Sequence, residues 1–183
     1  VVLCTGYLGE QVEATFGRRY QSLALNYSQE ATPLGTGGAL RAALPLYRSD
    51  PVLVMNGDSF CSADLRSFYA WYQEKQLTTG ALLLTKVAHV QRYGQVRLNS
   101  RGLISEFHEK GRATGAGWIN AGVYLLSQAL LASIPHDRAV SLESAVFPVW
   151  LANGLYGFQE GGSFIDIGLP ATYVSARDFF AVQ

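Results

Sequence analysis

Strand and helix signals alternate from the first residue of this chain, and that alternation limits the possible folds more than any other feature. Val1–Cys4 reads as a strand, Gly9–Phe16 as a helix and Leu23–Tyr27 as a second strand. The turn Pro33–Gly38 leads into a helix over Ala39–Leu44, which Pro45 stops because proline cannot sit inside it. Val52–Met55 is a third strand, and Asp64 caps a helix whose apolar positions Leu65, Phe68, Tyr69 and Tyr72 follow helical spacing. Ala81–Val87 is β-rich. Gln95–Leu98 and Leu103–His108 are short strands joined by the hairpin-like turn Asn99-Ser-Arg-Gly102, and Ile119–Leu126 follows as another strand. A helix begins at Ser141, is broken or kinked by Pro148, and ends at Asn153-Gly154. Tyr156–Gln159 and Ser163–Ile165 close the strands, and Pro170–Phe180 is a terminal helix. The pattern predicts an α/β fold, a mostly parallel Rossmann-like sheet flanked by helices, with an inserted β-hairpin. One domain is the default at 183 residues.

Two of the strands end on aspartates. Val52-Leu-Val-Met runs into Asn56-Gly-Asp58, and Phe164-Ile runs into Asp166. Each carboxylate falls at or near a strand's C-terminal end, the edge of an open α/β sheet where ligands bind. Two carboxylates there suit a hard divalent cation holding a phosphorylated substrate. Asn-Gly is also the usual type I′ hairpin turn, but Ser59–Ala63 leads to a capped helix and offers no return strand. A functional loop is the better reading.

Composition removes several classes. Apolar residues make up 49% and charged residues 15%, which supplies a core and argues against disorder. Formal charge is zero and no Lys/Arg stripe is present, so neither nucleic acid nor an anionic membrane is the expected partner. Cys4 and Cys61 lack metal-ligand spacing and read as buried free thiols in a reducing cytoplasm.

Other positions carry two readings each. Gly35-Thr-Gly-Gly38 lies between a strand and a helix, where glycines either let backbone N–H groups approach a ligand or simply make a tight turn. It is neither a dinucleotide fingerprint nor a Walker loop. Glu109-Lys110 either grips a sugar hydroxyl and a phosphate or is solvated surface. Asn120, at the start of an apolar strand, needs hydrogen-bond partners. The three histidines have no spacing that suggests a metal site, and no Gly-x-Ser-x-Gly elbow supports a serine nucleophile.

Gly6-Tyr7, Leu34-Gly-Thr-Gly-Gly-Ala-Leu40, Asn56-Gly-Asp58, Tyr93-Gly94, Glu109-Lys110, Asn120-Ala-Gly-Val-Tyr124 and Asp166-Ile-Gly-Leu-Pro170 occur in one order along nearly the whole chain. Together they resemble the sugar-1-phosphate nucleotidyltransferase family. Leu34–Leu40, Trp118–Tyr124 and Ser141–Pro148 are similar to the D-glycero-α-D-manno-heptose 1-phosphate guanylyltransferases within it. The resemblance implies the nucleotide-diphospho-sugar transferase fold. It also implies that Gly35, Thr36, Gly37 and Gly38 line the nucleobase and ribose, that Asp58 and Asp166 hold Mg²⁺, that Gly94, Glu109 and Asn120 bind the sugar, and that Lys110 binds its 1-phosphate. The partners would be a nucleoside triphosphate and a sugar 1-phosphate. The reaction would yield a nucleotide sugar, for surface polysaccharide synthesis, and pyrophosphate.

The family's opening strand and its loop Gly-Gly-x-Gly-Thr-Arg-Leu have no match in this chain. The resemblance therefore implies that a front piece of roughly 50 residues, about one strand–loop–helix unit and its continuation, is absent. On that expectation the isolated chain has negligible transferase activity, and robust turnover contradicts it. Gly111 stands where many relatives have proline after Glu-Lys, which loosens the loop and keeps both charges. Two rivals stay open: a hexose-1-phosphate nucleotidyltransferase (mannose with guanylyl, glucose with thymidylyl or uridylyl transfer), and a non-catalytic sugar-nucleotide-binding module.

Overall fold

The computed structural model describes residues 1–108, 111 and 113–181. In chain order the elements begin with β1 (Val2–Thr5), α1 (Gly9–Phe16), β2 (Arg19–Tyr20), β3 (Leu23–Ala24), β4 (Asn26–Gln29) and α2 (Gly35–Ala42). Then come β5 (Val52–Met55), β6 (Ser59–Cys61), α3 (Leu65–Glu74), β7 (Gly80–Val87), β8 (Gln95–Leu98), β9 (Ile104–His108) and β10 (Gly117–Leu126). The chain continues with α4 (Gln128–Ala132), α5 (Phe147–Trp150), β11 (Leu155–Gln159), β12 (Phe164–Asp166) and α6 (Pro170–Ala181). Contacts divide them into two units. One joins Val1–Val52 to Ser127–Trp150; the other joins Leu53–Leu126 to the stretch from Leu151 onward.

In the first unit β1 and β4 pair in parallel, Val2 opposite Asn26 through Thr5 opposite Gln29. The strand expected over Leu23–Tyr27 is split at buried Leu25, because β3 turns back to pair with β2 while β4 pairs with β1. Leu40, Leu130, Leu131, Val140, Leu142, Val146, Phe147 and Trp150 are buried in this unit. Ser127, absent from the sequence expectations, caps α4 by accepting from the Leu130 N–H at 3.1 Å. Pro148 acts as expected. Residues Leu142–Val146 form a π turn, the Val146 N–H donating to the Ser141 carbonyl at 3.2 Å, and a short α-helix with Pro148 in its first turn follows over Phe147–Trp150.

The second unit is built on a four-stranded sheet in the order β11-β7-β10-β5. β7 is parallel to β11 and antiparallel to β10, so the α/β class holds with a mixed sheet, a smaller parallel share than the sequence suggests. β7 is central, and Ala81, Leu82, Leu83 and Leu84 are all fully buried, as a strand covered on both faces requires. Phe68 and Tyr72 of α3 pack with Ala81, Leu83, Ala121, Val123 and Leu125 on one face. Tyr69, expected on the same stripe, is 47% exposed; half-buried Trp71 joins the cluster instead, its ring 5.1 Å from that of Phe158. β8 and β9 form the expected hairpin, Gln95 opposite His108. Both cysteines are free, but Cys4 is exposed and Cys61 half-buried, because Cys4 lies on a short strand with no buried position. Among the described residues no helix is long and apolar enough to cross a membrane.

The cap of α3 gives a pH prediction. The Asp64 carboxylate accepts from the Arg66 N–H at 2.9 Å and from the Ser67 hydroxyl at 2.8 Å. The Ser67 hydroxyl first, then the Arg66 and Ser67 N–H groups, hold its carboxyl below the usual carboxylate range. A lowered folded-state pKa contributes stability above the unfolded value, and that share is lost as pH falls through the folded value. Asp64→Asn keeps a capping oxygen and does not titrate. Thermal unfolding should show the parent's advantage over Asp64→Asn at neutral pH shrinking below about pH 4; a gap independent of pH contradicts the assignment.

Candidate functional site

The Asn56-Gly57-Asp58 loop leaves β5 and enters β6, which pairs not with β5 but with β12. Neither Asn56 nor Gly57 has the positive φ that a type I′ turn needs at both central residues. The hairpin alternative is therefore excluded. β6, missed in the sequence, pairs antiparallel with β12 so that Asp166 lies opposite Ser59, the residue after Asp58. The two aspartates expected to converge are thus brought together by a strand pair whose members are over 100 residues apart in sequence.

Backbone bonds fix both. The Ile167 N–H donates to the Asp58 carbonyl at 2.8 Å, and the Gly168 N–H donates to Asp166 Oδ1 at 2.8 Å. The Ser59 hydroxyl donates to Asp58 Oδ1 at 3.3 Å. A Cβ placed on Gly168 would lie 3.0 Å from Asp166 Oδ1 and 3.6 Å from Asp58 Oδ2. One oxygen of each carboxylate therefore faces the same small space, which the absence of a side chain at Gly168 leaves open. Among the described residues no group of three His, Cys, Asp or Glu side chains could hold a metal. Two carboxylates alone fit Mg²⁺, which keeps several waters and takes further ligands from substrate phosphates.

The glycine motif lies in the first unit and is itself the first turn of α2, which starts at Gly35 rather than Ala39. The reason is close packing. A Cβ on Gly35, Gly37 or Gly38 would come within 2.8, 3.1 and 2.8 Å, respectively, of the Val140 or Arg138 carbonyl oxygens. The Gly37 and Gly38 N–H groups both donate to the Val140 carbonyl, at 2.8 and 3.2 Å. These two buried glycines spend their donors inside the protein. Gly35 and Thr36 are exposed at the helix start, where the first N–H groups lack intrahelical acceptors. The Thr36 hydroxyl is occupied: it accepts from the Leu142 N–H at 2.8 Å and donates to Glu143 Oε2 at 3.0 Å. Glu143 was not singled out in the sequence, and its only signal was its place in the Ser141–Pro148 stretch.

Gly94 is buried, has φ +78°, and precedes β8; its N–H donates to the Val90 carbonyl at 3.0 Å. The ring of neighbouring Tyr93 meets that of Phe164 edge-on at 5.4 Å, which sets this turn against the strand that carries Asp166. Asn120 is half-buried on β10; its amide oxygen accepts from the Gly122 N–H at 2.9 Å and its amide nitrogen donates to the Tyr124 hydroxyl at 3.0 Å. Glu109 and Lys110 lie outside the described residues. A cleft of about 670 Å³, flanked by Trp71, Arg97, Arg101 and Trp118, includes none of the expected site residues.

Comparison with known proteins agrees with the motifs. The nucleotidyl transferase family model matches residues 1–182. D-glycero-α-D-manno-heptose 1-phosphate guanylyltransferase of Aneurinibacillus thermoaerophilus is 35% identical over 181 residues, 97% of this chain and 76% of that protein. Mannose-1-phosphate guanylyltransferase of Mycobacterium tuberculosis is 32% identical over 95% of this chain but 49% of its own length, so the chain spans about half of that relative. The crystal structure of HddC from Yersinia pseudotuberculosis complexed with GMP-PN has a TM-score of 0.83 at 30% identity, covering 98% of this chain and 77% of that one. With its α/β architecture and motif order, the chain belongs to the nucleotidyl transferase family.

Proposed function

We propose that this chain carries the site of a sugar-1-phosphate nucleotidyltransferase that moves GMP from GTP to D-glycero-D-manno-heptose 1-phosphate, releasing pyrophosphate. The observation that carries the reading is the convergence of Asp58 Oδ2 and Asp166 Oδ1 on the space beside Gly168. Guanine is favoured because both curated relatives above are guanylyltransferases. Heptose is favoured over mannose because the heptose enzyme is matched at higher identity and over far more of its length. The whole reaction is read as a step toward surface polysaccharide in the cytoplasm, where nucleoside triphosphates are available.

Asp58 and Asp166 would hold Mg²⁺, which when bound neutralises charge between the two substrates' phosphates. The protein's own work is positioning. The Gly168 N–H holds the Asp166 carboxylate and the Ile167 N–H holds the Asp58 backbone before substrate arrives, so little reorganisation is needed during reaction. Gly35 and Thr36 would offer backbone N–H groups to base and ribose, while Gly37 and Gly38 hold α2 against Val140. Gly94, Glu109 and Asn120 would take sugar hydroxyls, and Lys110 would act as a point charge on the 1-phosphate. A sugar phosphate oxygen then attacks the α-phosphorus in line and pyrophosphate leaves. That oxygen is already ionised, so orientation and charge suffice without a general base.

A panel of GTP, ATP, dTTP and UTP against heptose, mannose and glucose 1-phosphates tests this in the protein purified from its source. Pyrophosphate release should be fastest with GTP and the heptose phosphate. Fastest release with a hexose phosphate or another base would replace the substrate assignment. Binding of nucleotide sugar with no release for any pair would favour the non-catalytic module.

A further inference from the structure

β10 departs from regular pairing beside the Asp58 loop. Asn120 lies opposite Leu84 and Tyr124 opposite Leu82, so Ala121–Val123 together oppose the single Leu83. The two extra residues form a bulge, and because their number is even, Asn120 and Tyr124 stay on one face of the strand. That is why the Asn120 amide reaches the Tyr124 hydroxyl at 3.0 Å. At the apex, Gly122 has φ +74°, in the left-handed region that favours glycine. Its N–H is taken by Asn120 Oδ1 at 2.9 Å, which fixes the tilt of the peptide. Its carbonyl accepts the Asn56 N–H at 2.8 Å.

Asn56 is thus seated on the bulge two residues before Asp58. A Cβ on Gly122 would lie 2.9 Å from Asn56 Nδ2 and 3.1 Å from Asn56 Cβ and Cγ. The loop is therefore held at both ends: Asn56 on Gly122, and the Asp58 carbonyl on the Ile167 N–H. Between them Gly57 has no side chain, and a Cβ placed on it would meet nothing within 4 Å.

We propose that the Asn120–Gly122–Tyr124 bulge is the positioning element for the Asp58 carboxylate, so that it sets the divalent-cation affinity of the aspartate pair. This rests on the metal reading of Asp58 and Asp166. Gly122 touches neither metal nor substrate in this role; it acts through Asn56. Part of Asn120's hydrogen-bonding capacity serves the same element: its amide oxygen holds the bulge, and its amide nitrogen keeps a second N–H beyond the one given to Tyr124.

The test is Mn²⁺ affinity of the 183-residue chain by water-proton relaxation, with thermal unfolding measured alongside. Asp58→Asn should remove most of the binding. Gly122→Ala should weaken it about 10- to 100-fold, the range typical of groups that orient metal ligands. A purely structural role for Gly122 would lower the melting temperature and leave the affinity of the folded protein unchanged. That result, with binding lost in Asp58→Asn, overturns the positioning role alone. Absence of binding in the parent, or full binding in Asp58→Asn, overturns the metal reading and the proposal with it. Asn56→Gly in the Gly122→Ala background removes the side chain the new methyl would strike and should recover part of the affinity.

Discussion

Asp166→Asn should lower nucleotidyl transfer on the order of 10³-fold, equivalent to about 4 kcal/mol of transition-state stabilisation. The substitution is informative because it changes little else. The Asn Oδ1 can still accept the Gly168 N–H that Asp166 accepts at 2.8 Å, and the Asp166–Ser59 register of β12 on β6 does not depend on the side chain. What disappears is one of the two negative charges facing the space beside Gly168. On the proposed metal role the loss should fall mainly on kcat, and raising Mg²⁺ should recover only part of it. The check is pyrophosphate release by the protein purified from its source and by its Asp166→Asn variant, at several Mg²⁺ concentrations. A change of less than about tenfold would mean that the carboxylate is not a metal ligand in the transition state.

Gly38→Ala should destabilise the fold even though it replaces a helical glycine. Gly38 is helical, and helix propensity alone would favour alanine there by about 1 kcal/mol. Packing opposes this and wins. The new Cβ would sit 2.8 Å from the Arg138 carbonyl oxygen and 2.9 Å from Leu34 Cβ, atoms that have no flexible end to swing away. Relief requires α2 to move off Arg138–Val140, stretching the two bonds from Gly37 and Gly38 to the Val140 carbonyl. Overpacking of about 1–3 kcal/mol and roughly 1 kcal/mol for each weakened bond outweigh the propensity gain. A net loss of about 2–3 kcal/mol corresponds to a fall of roughly 5–10 °C in melting temperature. Gly161→Ala, where a Cβ would meet nothing within 4 Å, is the control and should change stability by less than about 0.5 kcal/mol. A Gly38→Ala protein that melts higher than the parent would show that propensity dominates and that the packing account is wrong.

These glycines also show where sequence reasoning reached its limit. Read locally, Gly35–Gly38 is a break before a helix; in the structure it is the helix's first turn, because a segment 100 residues later needs the space. Elements whose signal is local were legible. α1, β5 and β8 match their expected bounds, and Asp64 caps α3 as its position before an amphipathic run implies. β6 was invisible because three residues, Ser-Phe-Cys, carry too little pattern, and the partner that makes them a strand is β12. The grouping of Ser127–Trp150 with Val1–Val52 follows from long-range contacts that no composition change marks.

The site was partly legible for the same reason. An apolar run ending in aspartate is a local signal, and the structure brings the two aspartates so marked beside one gap. That Gly168 leaves the gap they face, and that Gly122 seats Asn56, depend on pairings read only in three dimensions. A signal for the second did exist: a glycine inside a strand pattern marks a bulge or a close backbone approach.

The most direct test of the account is anomalous diffraction from crystals of the protein soaked with Mn²⁺ and a guanosine diphosphate sugar. The account predicts one strong peak beside Gly168, with oxygens of both Asp58 and Asp166 about 2.1 Å away and phosphate oxygens completing the shell. A peak bound by other residues, or an ordered nucleotide sugar with no metal at the aspartate pair, would contradict it.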